Sequence, residues 1–317
     1  MKNVFITGVS GYLGMKVTGL LAKNDAVSKI IGIDIKEPAV IPDKLIFLKH
    51  DVRDPVVDLL KAHSIDTVVH MAYIVAQLHS DAEMEDINFA GSRNIFNASA
   101  QAQVSHILYT SSATAYGAHP DNDIPLTEES PLRGNDDFIY AKNKKEIEQN
   151  LIQPFIRKNP DITFTVLRPC FVTGPNFISN PLARYLTKRI VMLPSKTAPF
   201  QYMHEDDLAR IVEMCLEKSI NGVYNVGGEG TITFREMVEM LGNKILTIPP
   251  GLMYVLNNIS WFLRLSFLTE ASSSSLNLVY HSWIVSPKRL IDETGFEYYH
   301  DTRSAFEDFV RSIKGGN

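Results

Sequence analysis

Eight residues near the start of the chain restrict the fold more than any other stretch. "TGVSGYLG", residues 7 to 14, sets Gly8, Gly11 and Gly14 between the β-branched run "NVFIT" and a helical pattern. Gly8 permits a tight strand-to-helix turn, Gly11 lets the backbone approach a ligand, and Gly14 admits close helix packing. Amides at such a helix start point at an anion, so the loop suits a pyrophosphate, and Tyr12 and Leu13 would share in that contact. Three glycines alone also fit a plain turn. Asp34 narrows the choice, because it ends the next strand-like run, "IGIDI". A carboxylate there, with Ile35 beside it, accepts hydrogen bonds from an adenosine ribose and repels a 2′-phosphate. The expected cofactor is therefore NAD and not NADP.

The same rhythm repeats. "NVFITG", "KIIGIDI", "LIFLKHD", "DTVVHMA", "HILYTSS" and "FTVLRP" are short and nearly continuous in apolar residues, as strands covered on both faces are. Helical patterns separate most of them, which predicts an α/β fold, a Rossmann doubly wound parallel sheet. After Cys170, Pro175, Pro181, Pro194 and Pro199 break the rhythm, and "GVYNVGG" at 222–228 reads as one more strand. The expected division is an NAD-binding domain over 1–170, with 201–228 returning to its sheet. Residues 171–200 and 229–317 would form mainly a smaller C-terminal substrate domain.

Composition sets limits. The net charge of −5 leaves no basic footprint for nucleic acid. The two cysteines, Cys170 and Cys215, make no metal or disulfide pattern, which fits a cytoplasmic protein with no metal. The longest apolar stretch, residues 251–268, is interrupted by Asn257, Asn258, Ser260 and Arg264 and reads as a helix or lid packed in a substrate region; a membrane-surface contact stays open, an integral span does not fit.

Chemistry enters at "DFIYAKNKKEIEQ", residues 137–149, where Tyr140 and Lys144 stand four apart on one helical face that continues through Ile147 and Leu151. Ser112 lies at the end of the fifth strand, in "YTSSATAYG". A buried ammonium beside a phenol lowers its pKa, and a serine can hold a substrate oxygen in line with it. Such a trio exchanges a proton with an alcohol or ketone while a nicotinamide exchanges hydride. The plain alternative is a solvated tyrosine and a lysine paired with a nearby glutamate. Asp206 or Asp207, in "HEDDLA", reads as a helix N-cap.

Taken in order, "TGVSGYLG", "GIDI", "KHDVRD", "VVHMA", "INFAGSRN", "SSATAYG", "YAKNK", "LRPCFVTGPN", "HEDDLA" and "YNVGG" resemble the extended short-chain dehydrogenase/reductase family, the NAD-dependent epimerase/dehydratases. Within it, "YGAHPDNDIPLTEESPLRG" is similar to a bacterial subgroup labelled UDP-glucose 4-epimerase-like. The resemblance implies that Tyr140 is the acid/base, that Lys144 lowers its pKa and binds the nicotinamide ribose, and that Ser112 orients the substrate oxygen. It implies that Asp51 and Val52 flank adenine, that Met71, Ala72 and Tyr73 line the cofactor, and that Asn88 supports the site. Pro169, Phe171 and Val172 would lie near the nicotinamide, with Ala113, Thr114 and Val75 facing a small-molecule substrate. It also implies a homodimer through helices at about 83–102 and 138–158.

The substrate half departs from the pattern. Phe200 stands where nucleotide-sugar enzymes of the family carry a diphosphate-clamping arginine, Val75 replaces an expected lysine, and "VYHSWIVSPKR" replaces a later arginine-containing segment. The leading reading is an oxidoreductase/epimerase acting on a sugar or nucleotide-sugar hydroxyl, 4-epimerase-like through a transient ketone; the alternatives are an NAD(P)-dependent reductase or dehydrogenase on a non-nucleotide alcohol or carbonyl, and a non-catalytic NAD(H)-binding sensor.

Overall fold

Strands buried on both faces need no polar alternation, and the apolar runs of this chain build such a sheet. The computed structural model describes residues 2–265 and 268–315. The strands are β1 (Asn3–Thr7), β2 (Lys29–Asp34), β3 (Leu45–Lys49), β4 (Thr67–His70), β5 (His106–Thr110), β6 (Thr163–Pro169), β7 (Phe171–Thr173), β8 (Ile190–Pro194), β9 (Tyr202–His204), β10 (Gly222–Val226) and β11 (Lys244–Ile248). Seven of them form one sheet in the order β10-β6-β5-β4-β1-β2-β3. Every pairing in it is parallel. The fold is the Rossmann α/β fold that the sequence predicts. Its strand order reverses between β1 and β4, and ligands bind outside the carboxyl ends of strands at such a switch point.

The pleat sends alternate side chains to two cores. Val4 and Ile6 point to one, with Leu108 and Leu167, against helices Tyr12–Leu21 and Glu205–Glu217. Phe5 points to the other, with Val68, Ile107 and Phe164. A third core joins Phe177, Leu186, Val191, Phe200, Phe234 and Phe309, from the segments around β8, β9 and the last helix, Thr302–Lys314. β8 pairs with β11 and β7 with β9.

Two long helices are α-helical at both ends and π-helical between. One runs through Asp81–Glu85, a π turn at Asp86–Ala90, and Gly91–Gln101. The other runs through Ile139–Glu146, a π turn at Ile147–Ile152, and Gln153–Lys158. The stretch read as a helix or lid over 251–268 is helical at Pro250–Phe262, and its positions 266 and 267 lie outside the described residues. Among the described residues no helix is long and apolar enough to cross a membrane.

Candidate active site

The glycine loop takes its shape from close backbone contacts. Gly8 has φ +77°, and a Cβ there would lie 2.7 Å from the Ala72 amide nitrogen. A Cβ on Gly14 would lie 1.9 Å from the Gly8 carbonyl oxygen, so this glycine is needed by the turn itself. A Cβ on Gly11 meets only the Gly8 oxygen, at 3.2 Å, which leaves its other side open. Gly11 also caps helix Tyr12–Leu21 without a side-chain bond. An open backbone at a helix start fits a dinucleotide's pyrophosphate. Asp34 reinforces the loop from β2: its carboxylate accepts the Ser10 amide at 3.1 Å and the Lys36 amide at 3.2 Å.

One cleft of about 400 Å³ gathers most of the residues singled out in the sequence. Gly8, Gly11, Tyr12, Leu13 and Gly14 line it, as do Met71, Tyr73 and Val75 after β4, Ser112 and Thr114 after β5, Tyr140 and Lys144, and Pro169, Phe171 and Val172. Asp34, Ile35, Asp51, Val52, Ala72, Asn88 and Ala113 are outside its wall. The Asp51 carboxylate is engaged by Arg53 through Nε at 3.0 Å and Nη2 at 2.7 Å, and this pairing holds it below the usual carboxylate range. Val52 and Ala113 are buried. Asn88 is buried too, and its Oδ1 accepts the Ile74 amide at 2.8 Å, fixing the loop after β4.

Ser112 ends its strand as the N-cap of a short 3₁₀ turn, where its Oγ accepts from the Thr114 amide at 3.2 Å and the Thr114 hydroxyl at 2.9 Å. Lys144 is buried, and its Nζ donates to the Thr110 carbonyl at 2.8 Å and the Tyr109 hydroxyl at 3.2 Å. The ammonium lies 3.6 Å from the centre of the Tyr73 ring and 5.9 Å from that of Tyr140. Tyr73 in turn packs edge-on against Tyr140, with ring centres 5.3 Å apart.

The electrostatics differ from the expected lowering of the phenol. Burial raises Tyr140 above the ordinary tyrosine value, and the Ser112 hydroxyl offsets this in part. Lys144 is itself driven well below its usual value by burial, against the pull of Glu148. Its Nζ donates to a carbonyl and lies over an aromatic face.

Sequence reasoning missed the support behind this trio. Glu148 is buried, accepts the Ser111 hydroxyl, and binds Arg168 through Nε at 3.0 Å and Nη2 at 2.6 Å. Arg168 also donates to the Tyr116 hydroxyl at 2.6 Å, which donates to Asn225 Oδ1 at 2.8 Å. The available signal was spacing: Glu148 is four residues after Lys144, on the face that was assigned to Ile147 and Leu151. The segment "HEDD" also reads differently in three dimensions. His204 is the N-cap, its Nδ1 accepting the Asp206 amide at 3.1 Å, while buried Asp207 pairs with Arg210 at 2.8 Å.

Beyond the trio the cleft turns apolar, with Phe171, Met192, Phe200, Phe234, Met253 and Trp283 among its walls. Phe200 is buried between Phe171 and Phe234, at ring-centre distances of 5.7 and 5.5 Å. Besides Lys144, Lys188 is the one cation among the described lining residues. It donates to the Leu268 carbonyl at 3.2 Å, while nearby Arg184 is paired with Glu270.

Comparisons place this arrangement among known proteins. The family model described as "NAD dependent epimerase/dehydratase family" matches residues 4–227. An uncharacterized protein of Mycobacterium tuberculosis is 25% identical over 323 residues, covering 98% of this chain and 84% of its own. A UDP-glucose 4-epimerase of Neisseria meningitidis is 26% identical over 290 residues, covering 78% of this chain and 84% of its own. A crystal structure of UDP-glucose 4-epimerase from Thermotoga maritima superposes with a TM-score of 0.79 at 18% identity, covering 99% of each chain, which shows the shared fold. A glycine loop of the right shape, a sheet of the right order and a family model spanning most of the chain agree: the protein belongs to the NAD-dependent epimerase/dehydratase family and is an NAD-dependent enzyme.

Proposed function

We propose that the enzyme transfers hydride between NAD(H) and the carbinol or carbonyl carbon of an apolar, non-nucleotide substrate, with Tyr140 exchanging the proton. The observation that carries this reading is a single cleft in which the glycine loop, Ser112, Tyr140 and Lys144 meet a wall of aromatic and aliphatic side chains. Residues 1–170 and 201–228 would hold the cofactor, and 171–200 with 229–317 would supply most of that wall.

When bound, NAD(H) accepts or donates the hydride. The chain's own residues do the rest. Gly8, Gly11 and Gly14 give the pyrophosphate a side-chain-free approach, and Asp34 receives the adenosine ribose. Ser112 Oγ and the Tyr140 hydroxyl bracket the substrate oxygen. The Tyr140 hydroxyl can give a proton to a carbonyl oxygen or take one from an alcohol. Lys144 stabilises the phenolate left behind, and Tyr73 holds that ammonium against its ring. Guanidinium groups clamp a diphosphate by bidentate contacts, and Lys188 is the one cation besides Lys144 on this cleft's described wall. Phe200 supplies none, and Arg184 is committed to Glu270.

A second reading, 4-epimerisation of a sugar nucleotide, draws support from the Neisseria relative. The two separate in one experiment. The protein is given NADH with a panel of alicyclic and long-chain ketones, and UDP-glucose in parallel. Ketone-dependent loss of NADH absorbance is expected. Interconversion of the UDP-sugar with no ketone turnover overturns the proposal.

A further inference from the structure

Helix Pro250–Phe262 is amphipathic in the wrong sense for a helix that caps a soluble domain. Its inward stripe is Met253, Asn257 and Ser260, and Met253 and Asn257 line the cleft. Its outward stripe is Leu252, Val255, Leu256, Ile259 and Phe262 at helical spacing, all exposed, with Phe262 at 85%. The next residue, Leu263, is exposed as well. A contiguous apolar face of this kind on a soluble protein marks an interaction site.

The charge around it names the partner. The chain as a whole is −5, yet residues 162–204 and 240–269 contain no Asp or Glu. These two segments meet: β8 pairs with β11, the Lys244 amide donates to the Arg189 carbonyl at 3.1 Å, and the Ser195 amide donates to the Ile248 carbonyl at 3.0 Å. Exposed Lys196 follows Ser195 at the start of the helix, and exposed Arg264 follows its end. Exposed Arg189 and Lys244 sit at the far end of the strand pair. Of the nearby carboxylates, Glu270 is held by Arg184 and Asp137 accepts from Asn277 Nδ2 at 3.4 Å, while exposed Asp81 and Glu83 follow His79, whose ring stacks on Trp261 at 4.0 Å. An apolar helix face set among cations fits an anionic lipid surface better than a protein groove or a second copy of this chain.

We propose that this helix docks on anionic membrane, seating Leu252, Val255, Ile259 and Phe262 at the boundary of headgroups and acyl chains. The same helix then has lipid on one face and the cleft on the other. Docking stands on the helix and its charges alone. Its use, to take an apolar substrate from the bilayer, rests on the function proposed above.

Vesicle flotation tests it without any turnover. The intact protein is mixed with vesicles of phosphatidylcholine plus phosphatidylglycerol, and with phosphatidylcholine alone. Wild type should float with the anionic vesicles and be released by salt. Ile259→Glu with Phe262→Glu should lower binding at least about tenfold, since each removes an apolar side chain from the boundary. Lys196→Glu with Arg264→Glu should lower it about fivefold per charge. Both variants should keep wild-type NAD affinity, which shows that they fold. Wild type failing to float, or Ile259→Glu/Phe262→Glu floating as wild type does, overturns the proposal. So does sedimentation showing that this face buries against a second copy. Flotation intact with no apolar ketone reduced sinks the substrate reading and leaves docking in place.

Discussion

Replacing Glu148 by glutamine tests whether the buried ion pair behind the trio behaves as its geometry requires. The side chains of Arg168 and Glu148 are 6% and 3% exposed. Glutamine keeps the volume and removes the charge that faces the guanidinium. An arginine cannot lose its proton, so it stays charged and buried with a neutral partner. Removing one member of such a pair costs about 3–5 kcal/mol. At about 2 cal/mol/K per residue of unfolding entropy, this lowers Tm by about 4–8 °C for a chain of this length. Thermal and urea unfolding of wild type and Glu148→Gln measure the loss. Glu148→Leu with Arg168→Met removes both charges and should recover most of it, because an apolar pair of similar size needs no compensation. The variant also reaches the site. Glu148 holds up the proton affinity of Lys144, so its loss should move the alkaline limb of the pH–rate profile to lower pH. A Tm within about 1 °C of wild type for Glu148→Gln, or a double variant no more stable than the single, would refute this account of the pair.

Tyr140→Phe should leave NAD binding intact and lower turnover by about 10²–10⁴, and near-normal rates on a good substrate would remove the phenol from the mechanism. Asp34→Ala should narrow the preference for NAD over NADP, as read by titrating both; an unchanged ratio means the carboxylate does not face the ribose. Burial holds His70 down from 6.5 to about 3, so it is neutral in the fold. Its contribution to stability is full above about pH 6.5 and is lost as pH falls toward 3, by about 2 kcal/mol at pH 5. Urea unfolding at pH 7 and pH 5 should show that slope, and His70→Gln should flatten it. Pairing through helices near 83–102 and 138–158 predicts a dimer in sedimentation at micromolar concentration, and a sedimenting monomer rejects it.

What the sequence made legible was whatever depends on local pattern. Gly14 is forced by a backbone contact inside a single turn, Gly8 takes the positive φ that this turn needs, and β1 through β6 follow unbroken apolar runs. The unforeseen parts depend on partners distant in the chain. Arg168 ends up against Glu148, Tyr116 and Asn225 only because β5, β6 and β10 lie side by side. Spacing shows that Lys144 is near Tyr140, not where its Nζ points. It points at Thr110 and Tyr73. The N-cap was assigned to an aspartate by propensity, and His204 took it because Asp207 is needed inside to accept the amides of Tyr299 and His300.

The π turn at Ile147–Ile152 bears on how this helix can vary. A π turn is one residue more than the α-helix around it needs. Deleting a single residue there restores ordinary pitch while leaving Tyr140, Lys144 and Glu148 in phase with one another. Because the wide turn absorbs its extra residue, the segment downstream, Phe155 included, keeps its phase, whereas a one-residue change in regular α-helix rotates everything beyond it by roughly 100° about the axis. The π turn thus joins a segment set against the cleft to one set in the aromatic core around Phe96 and Phe164 and takes up a change of length between them. Loss of one residue at this joint leaves both ends in register, whereas the same change between Tyr140 and Lys144 would separate the pair.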